Sequence, residues 1–154
     1  MFNVKVTRTK FGKGIAGLFG AFRGPDTVRV GFPAGKADSD VIERALFNEF
    51  GTKTIPERPA LRNAVRNNRD EYQAMMKAEA RTILLGAIKG QDAARAKRRA
   101  LQRLGIKAQG DIQSEITSLQ TPPNAASTIR QKGSSNPLID TGEMRNSVTY
   151  KIEE

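Results

Sequence analysis

The chain contains no cysteine, no histidine and no tryptophan. Without cysteine there is neither a disulfide nor a thiol nucleophile. Without cysteine and histidine together, the usual ligands of zinc and haem are missing. The lack of histidine also excludes Ser-His-Asp and Cys-His catalysis. Long apolar runs are scarce as well: Ile83-Leu84-Leu85 is typical of the longest, far short of the roughly 20 residues a membrane-crossing helix needs. The N-terminal Met1-Phe2-Asn3-Val4-Lys5-Val6 alternates in polarity instead of forming a signal-peptide block, so synthesis in the cytoplasm with no membrane association is expected. Carboxylates, lysines and two tyrosines are the acid–base groups that remain, and neither a cofactor nor a metal is expected.

What is present is a basic chain of 154 residues, 38% hydrophobic, with a formal net charge of +10. That length fits one domain, spanning 1–154, with a core built mainly from Leu, Ile, Val, Ala and Met. Between Arg58 and Gly110 stand thirteen Lys/Arg against four Asp/Glu, so almost the whole excess lies in one region. Such a concentration indicates an acidic partner or a solvated basic helix face. Its densest part, Arg95, Lys97, Arg98, Arg99, Arg103 and Lys107, is the candidate DNA or anion contact. These residues spread around much of a helix and carry no interleaved aromatics, a pattern suited to phosphate contact without base reading.

The hydrophobic pattern predicts an α+β fold, with long helices packed on a small antiparallel sheet formed by N-terminal strands and the C-terminal strand. Phe2, Val4 and Val6, then Val28, Val30 and Phe32, and finally Val148, Tyr150 and Ile152 alternate with polar residues as half-buried strands do. Between the first two strands, residues 10–26 form a glycine-rich loop carrying Phe11, Ile15, Leu18, Phe19 and Phe22. So apolar a loop, protruding from the domain, fits docking onto a neighbouring subunit. A first helix is expected from the caps Asp38-Ser39-Asp40 to Phe50, buried along Val41, Ile42, Ala45, Leu46 and Phe50 and stopped by Gly51. After a proline-bracketed link, Pro59 opens a second helix continuing to about Ile88, roughly 40 Å at 1.5 Å per residue, with a kink or break at Gly86 or Gly90. A third opens at Gln91-Asp92 and runs through Gly105 and Gly110 to Pro122-Pro123, the glycines marking a bend or a close helix contact. Asn124 is the expected cap of a short helix to Lys132, and one further turn is expected over 141–146.

Two local motifs suggest chemistry. Leu138-Ile139-Asp140-Thr141-Gly142 has the form of an aspartic-protease turn, in which two aspartates share a proton across a dimer. Only twelve residues follow Gly142, leaving no room for the strands that close such a site, so Asp140 or Thr141 is read as a helix cap and the chain as a non-enzyme. Gly12-Lys13-Gly14-Ile15-Ala16-Gly17 lacks the spacing of a phosphate-binding loop.

Two longer segments carry a resemblance. Ile42 to Arg62 reads I-E-R-A-L-F-N-E-F-G-T-K-T-I-P-E-R-P-A-L-R, and Ser127 to Ile152 contains N-P-L-I-D-T-G-E-M-R-N-S-V. In this order they resemble the neck or tail-completion proteins of tailed bacteriophages, the group of minor tail protein Z-like and virion morphogenesis proteins. Ala60 stands where a bulky aromatic is usual in that group. The resemblance implies a structural virion protein that forms a ring, commonly a hexamer, at the head–tail junction. Its partners would be copies of itself, the phage connector or adaptor and the tail terminator or tail-tube proteins, with non-specific contact to the packaged DNA that passes through. Arg58 and Arg62, in the link between helices, would then face an acidic ring surface or DNA. The alternative function is a basic nucleic-acid-binding accessory protein without sequence specificity.

Overall fold

The structure, a computed structural model, describes residues 19, 23–32, 35 and 37–153. Their elements run β1 (Thr27–Gly31), α1 (Ser39–Phe50), α2 (Ala60–Asn67), α3 (Arg69–Ile88), α4 (Ala93–Ser118), α5 (Ala126–Lys132), α6 (Glu143–Asn146) and β2 (Thr149–Glu153). This is the α+β architecture expected from the sequence. The strand expected over 2–6 and nearly all of the loop over 10–26, including Phe11, Ile15, Leu18 and Phe22, lie outside the described residues.

Helix α4 is the axis of the molecule. The Asp92 carboxylate accepts the Arg95 N–H at 3.0 Å and starts it. Ala93, Ala100, Leu101, Gly105, Ala108, Ile112 and Ile116 then form a buried stripe along 26 residues. Helices α2 and α3 and both strands pack against it. β1 and β2 pair antiparallel, with Thr27 opposite Glu153, Val30 opposite Tyr150 and Gly31 opposite Thr149. A two-stranded ribbon is marginal alone, and here one face rests on α4. Gly105 makes that contact close, because a Cβ there would lie 2.5 Å from Cδ2 of Tyr150. The neighbour that approaches this glycine is a strand residue, where the sequence reading expected a bend or a helix contact.

Two cores flank the axis. The larger gathers Ala60 and Ala64 of α2, Ile112 and Ile116 of α4, and Leu119, Leu138 and Val148, with Val30, Phe32, Leu61, Ile139 and Met144 packed around them. The smaller joins Ile83 and Ala87 of α3 to Ala93, Ala96 and Ala100 of α4. Small side chains make up most of the contact toward the tip of the α3–α4 hairpin.

Three expectations are corrected. In α1 the inward residues are Val41, Ala45 and Glu49, while Leu46, Phe47 and Phe50 are 50%, 41% and 64% exposed. The helix is turned because Asn48 and Glu49 have polar partners inside. The expected continuous helix from Pro59 breaks at Asn68, whose backbone leaves helical geometry and whose amide donates to Ala64 O at 2.8 Å. Of the two break points expected, Gly86 or Gly90, the structure uses Gly90, while Gly86 stays inside α3 against the Gln91 side chain. Finally, α5 starts after Ala125, not after a capping Asn124, because the Asn124 side chain is engaged elsewhere.

Gly105 and Gly110 provide a paired test. Gly110→Ala meets open space and should stabilise the protein by about 1 kcal/mol through helix propensity. Gly105→Ala carries the same propensity gain but should destabilise it by about 1–3 kcal/mol by displacing Tyr150. Urea denaturation of both variants checks the opposite signs.

Candidate functional site

The link between α1 and α2 is built by side chains that satisfy a helix start. Pro59 has no N–H and no side-chain acceptor, so it cannot cap α2. The Glu49 carboxylate does so from another helix, accepting the N–H groups of Leu61 and Arg62 at 3.0 Å each and Nε of Arg62 at 3.0 Å. An acid in the last turn of α1 opposes that helix's own dipole; at the start of α2 it is favourable. Gly51 lets the chain turn between them at φ +69°, where a Cβ would sit 3.1 Å from Glu57 N and 3.2 Å from Ile55 O. Thr52 closes the turn, its N–H donating to Ile55 O at 2.8 Å and its hydroxyl oxygen accepting from Ile55 N at 3.0 Å. Outside, Arg62 also pairs with Glu57 and lies over the Phe50 ring at 5.2 Å. Hydrogen bonds to Glu49, then to Glu57, raise its pKa.

Arg58, expected from the sequence to face a partner, points inward. It is 5% exposed. Its Nε donates to Pro122 O at 2.8 Å, Nη1 to Asn48 Oδ1 at 3.0 Å, and Nη2 to Pro123 O at 2.9 Å and Asn124 Oδ1 at 3.2 Å. No described carboxylate forms an ion pair with it, and burial lowers its pKa. The guanidinium thereby ties α1, the link and the Pro122–Asn124 turn together.

The segment over 127–152 packs onto that over 42–62. The Asn136 carbonyl oxygen of the side chain accepts the N–H groups of Leu138 and Ile139 at 3.1 and 3.0 Å, while its amide donates to Thr117 O at 2.8 Å. An Asn before proline is a recognised turn signal, but it does not reveal that the turn fastens to the end of α4. Leu138 drops into the core. The N-cap position of α6 is Gly142, at φ +81° and without a side-chain cap, so neither Asp140 nor Thr141 fills the expected capping role; Thr141 Oγ1 accepts the Glu143 N–H at 3.3 Å just before it. Arg44 of α1 bridges to Glu143 at 2.6 Å and to Asp40 at 3.0 Å.

Between the two motifs lies a cleft of about 390 Å³. Ile55, Pro56, Pro123, Pro137, Leu138 and Met144 contribute apolar wall, and Arg44, Arg58, Lys132, Asp140 and Glu143 contribute charge. Lys132 Nζ donates to Asn136 O at 2.9 Å. Burial pushes its pKa down, Asp140 draws it back up, and Arg58 lowers it further.

The basic residues of α4 are only partly available. Arg95, Arg98, Arg99 and Arg103 are exposed and Lys97 is half-buried beside an apolar groove between α3 and α4. Arg103 pairs with Glu79 of α3. Lys107 pairs with Asp111 at 2.7 Å and Glu71 at 3.1 Å, and Asp111 accepts the Tyr72 hydroxyl at 2.7 Å. These contacts fasten α3 to α4. Phe19 is 65% exposed. Among the described residues, no three acidic side chains gather as a metal site, and no helix is long and apolar enough to cross a membrane.

No protein-family model matches the chain, and no curated protein or solved structure matches it.

Glu49→Ala should cost about 2–4 kcal/mol by stranding the buried start of α2 and one side of Arg62, read as a lower urea midpoint. Burial, and then the hydrogen bond to Asp111, raise the Tyr72 pKa. The unfolded phenol ionises near pH 10, so the stability from neutral Tyr72 is complete below about pH 10 and is lost as pH rises toward the folded value. Between pH 9 and 11, wild-type stability should fall more steeply than that of Tyr72→Phe.

Proposed function

We propose that the chain is a structural subunit of a tailed-phage neck, forming a ring at the head–tail junction that joins head to tail and lets DNA pass. The observation that carries this reading is the junction of the two motif segments. The residues that bear the resemblance, Glu49, Gly51, Thr52, Arg58, Pro59 and Arg62 on one side and Asn136 to Glu143 on the other, build one interlocked unit. The Arg44–Glu143 pair joins the two sides directly, and Arg58 reaches the second through Asn124, whose amide donates to Asn136 O at 3.4 Å. Motifs far apart in sequence thus have a shared physical reason to occur together.

The exposed apolar surface supports an assembly role. Leu46, Phe47 and Phe50 form a stripe on α1, close to one helical face by their spacing. Val65 on α2, Leu84, Leu85 and Ile88 on α3, and Ile106 on α4 are also more than two-fifths exposed. Large apolar side chains in such number outside a small core fit a protein whose surface is completed by neighbours. The site chemistry fits a structural role too: the charged groups of the motifs are spent on holding backbone, and Arg103 and Lys107 on holding α3. The subunit would act in the virion at the head–tail junction, after assembly in the host cytoplasm.

Light scattering coupled to size exclusion, with negative-stain imaging, should reveal rings with a central opening, alone or on addition of connector or tail proteins. A monomer under all those conditions overturns the reading. The double variant Leu46→Glu/Phe47→Lys keeps the net charge and replaces exposed side chains. It should abolish ring formation while leaving folding stability within about 1 kcal/mol of wild type.

A further inference from the structure

The cleft between the motifs contains more positive charge than its own residues answer. Arg58 lines it, and all four of its hydrogen-bond acceptors are neutral oxygens: two backbone carbonyls and two asparagine side chains. One Nη1 N–H remains beyond those four bonds. Lys132, also in the lining, donates to the backbone carbonyls of Asn136 and Pro137, at 2.9 and 3.5 Å. Arg44 and Glu143 neutralise each other on the rim, with Asp40 on the far side of Arg44. That leaves two partly desolvated cations facing one exposed carboxylate, Asp140. Burial weakens the protonated form of both cations, and Arg58 adds to that at Lys132. A buried charge without a counter-ion is costly, and an incoming anion removes part of that cost.

We propose that this cleft binds a carboxylate, the side chain of an Asp or Glu carried on an extended and otherwise apolar peptide segment of a partner protein. The walls select for that chemistry. Prolines 56, 123 and 137 with Ile55, Leu138 and Met144 offer apolar contact to residues flanking the acid. A volume of about 390 Å³ is within the usual range of ligand pockets, room for the acid and its immediate neighbours. Asp140 and Glu143 on the rim repel a dianion, so one carboxylate is favoured over a phosphate. The site goes beyond the ring reading and does not depend on it, because it describes a local recognition event that a monomer also performs.

The test uses the full chain and the capped peptide acetyl-Pro-Leu-Glu-Pro-amide, its Gln counterpart and inorganic phosphate, each followed by amide NMR. The Glu peptide should shift the Asn124, Thr141 and Gly142 resonances to saturation. The Gln peptide should bind at least about tenfold more weakly, since it lacks the charge. Lys132→Gln should lose the same factor, and Lys132→Arg should restore most of it. Lys132 is half-exposed at the cleft, which avoids the folding defect that replacing Arg58 invites. Equal binding of the Glu and Gln peptides, no saturating shift at the cleft, or tighter binding of phosphate at these amides would each overturn the proposal. Light scattering on the same samples reports assembly separately, so a failed ring and an empty cleft are told apart.

Discussion

Arg58 carries a full positive charge into a place that water barely reaches, and two other stretches of chain are arranged around it. Asn48 comes from the end of α1, Pro122 and Pro123 turn their carbonyls inward after α4, and Asn124 gives up a capping role to join them. A guanidinium suits this position because its planar fork reaches four acceptors at once. A lysine would meet three at most. Once Arg58 is fixed, its own N–H donates to Asn48 O at 2.6 Å, and the following Pro59 is held at the start of α2. The angle between α1 and α2, and with it the cleft, follows from that one side chain.

Much of the architecture was legible in the sequence because it rests on local rules. Asp92 caps α4 and Gly51 ends α1, as residue type and spacing indicate. The alternation in Val28, Val30, Tyr150 and Ile152 marks two strands that do pair. The misreadings have a common physical origin. Asn48 and Glu49 look like solvent-facing residues of an amphipathic helix, so the apolar stripe of α1 was assigned through Leu46 and Phe50. Their partners lie ten to thirteen residues onward and, through Arg58, beyond residue 120. Periodicity within one helix contains no trace of them. Asn68 was hidden for a related reason, since one asparagine in a helical pattern rarely ends it.

The candidate site shows the same division. The motif residues were identifiable as a set, but their direction was not. Arg58 was read as outward and is inward, whereas Arg62, pairing with Glu49 and Glu57, keeps one side in solvent. Charged residues next to prolines in a link suggest surface in a sequence, because links run over surfaces. Here the link is short and doubly braced, and its charge is structural. The cleft itself could not be read at all, since its walls come from four separate regions.

The α3–α4 hairpin has a graded construction. Near its base, Tyr72, Asp111, Lys107 and Glu71 form a charged clasp, and Arg103 reaches Glu79 farther along. Toward the tip the contact thins to Ile83 among alanines, with Leu84, Leu85 and Ile88 facing out. Little apolar area is buried there, so the last two turns of α3 can open at a fraction of the cost of unfolding the whole domain. The hairpin is thus firm where it meets the body and compliant at its end. That gradient lets the far end of the hairpin yield to whatever presses on it while the core beneath stays intact.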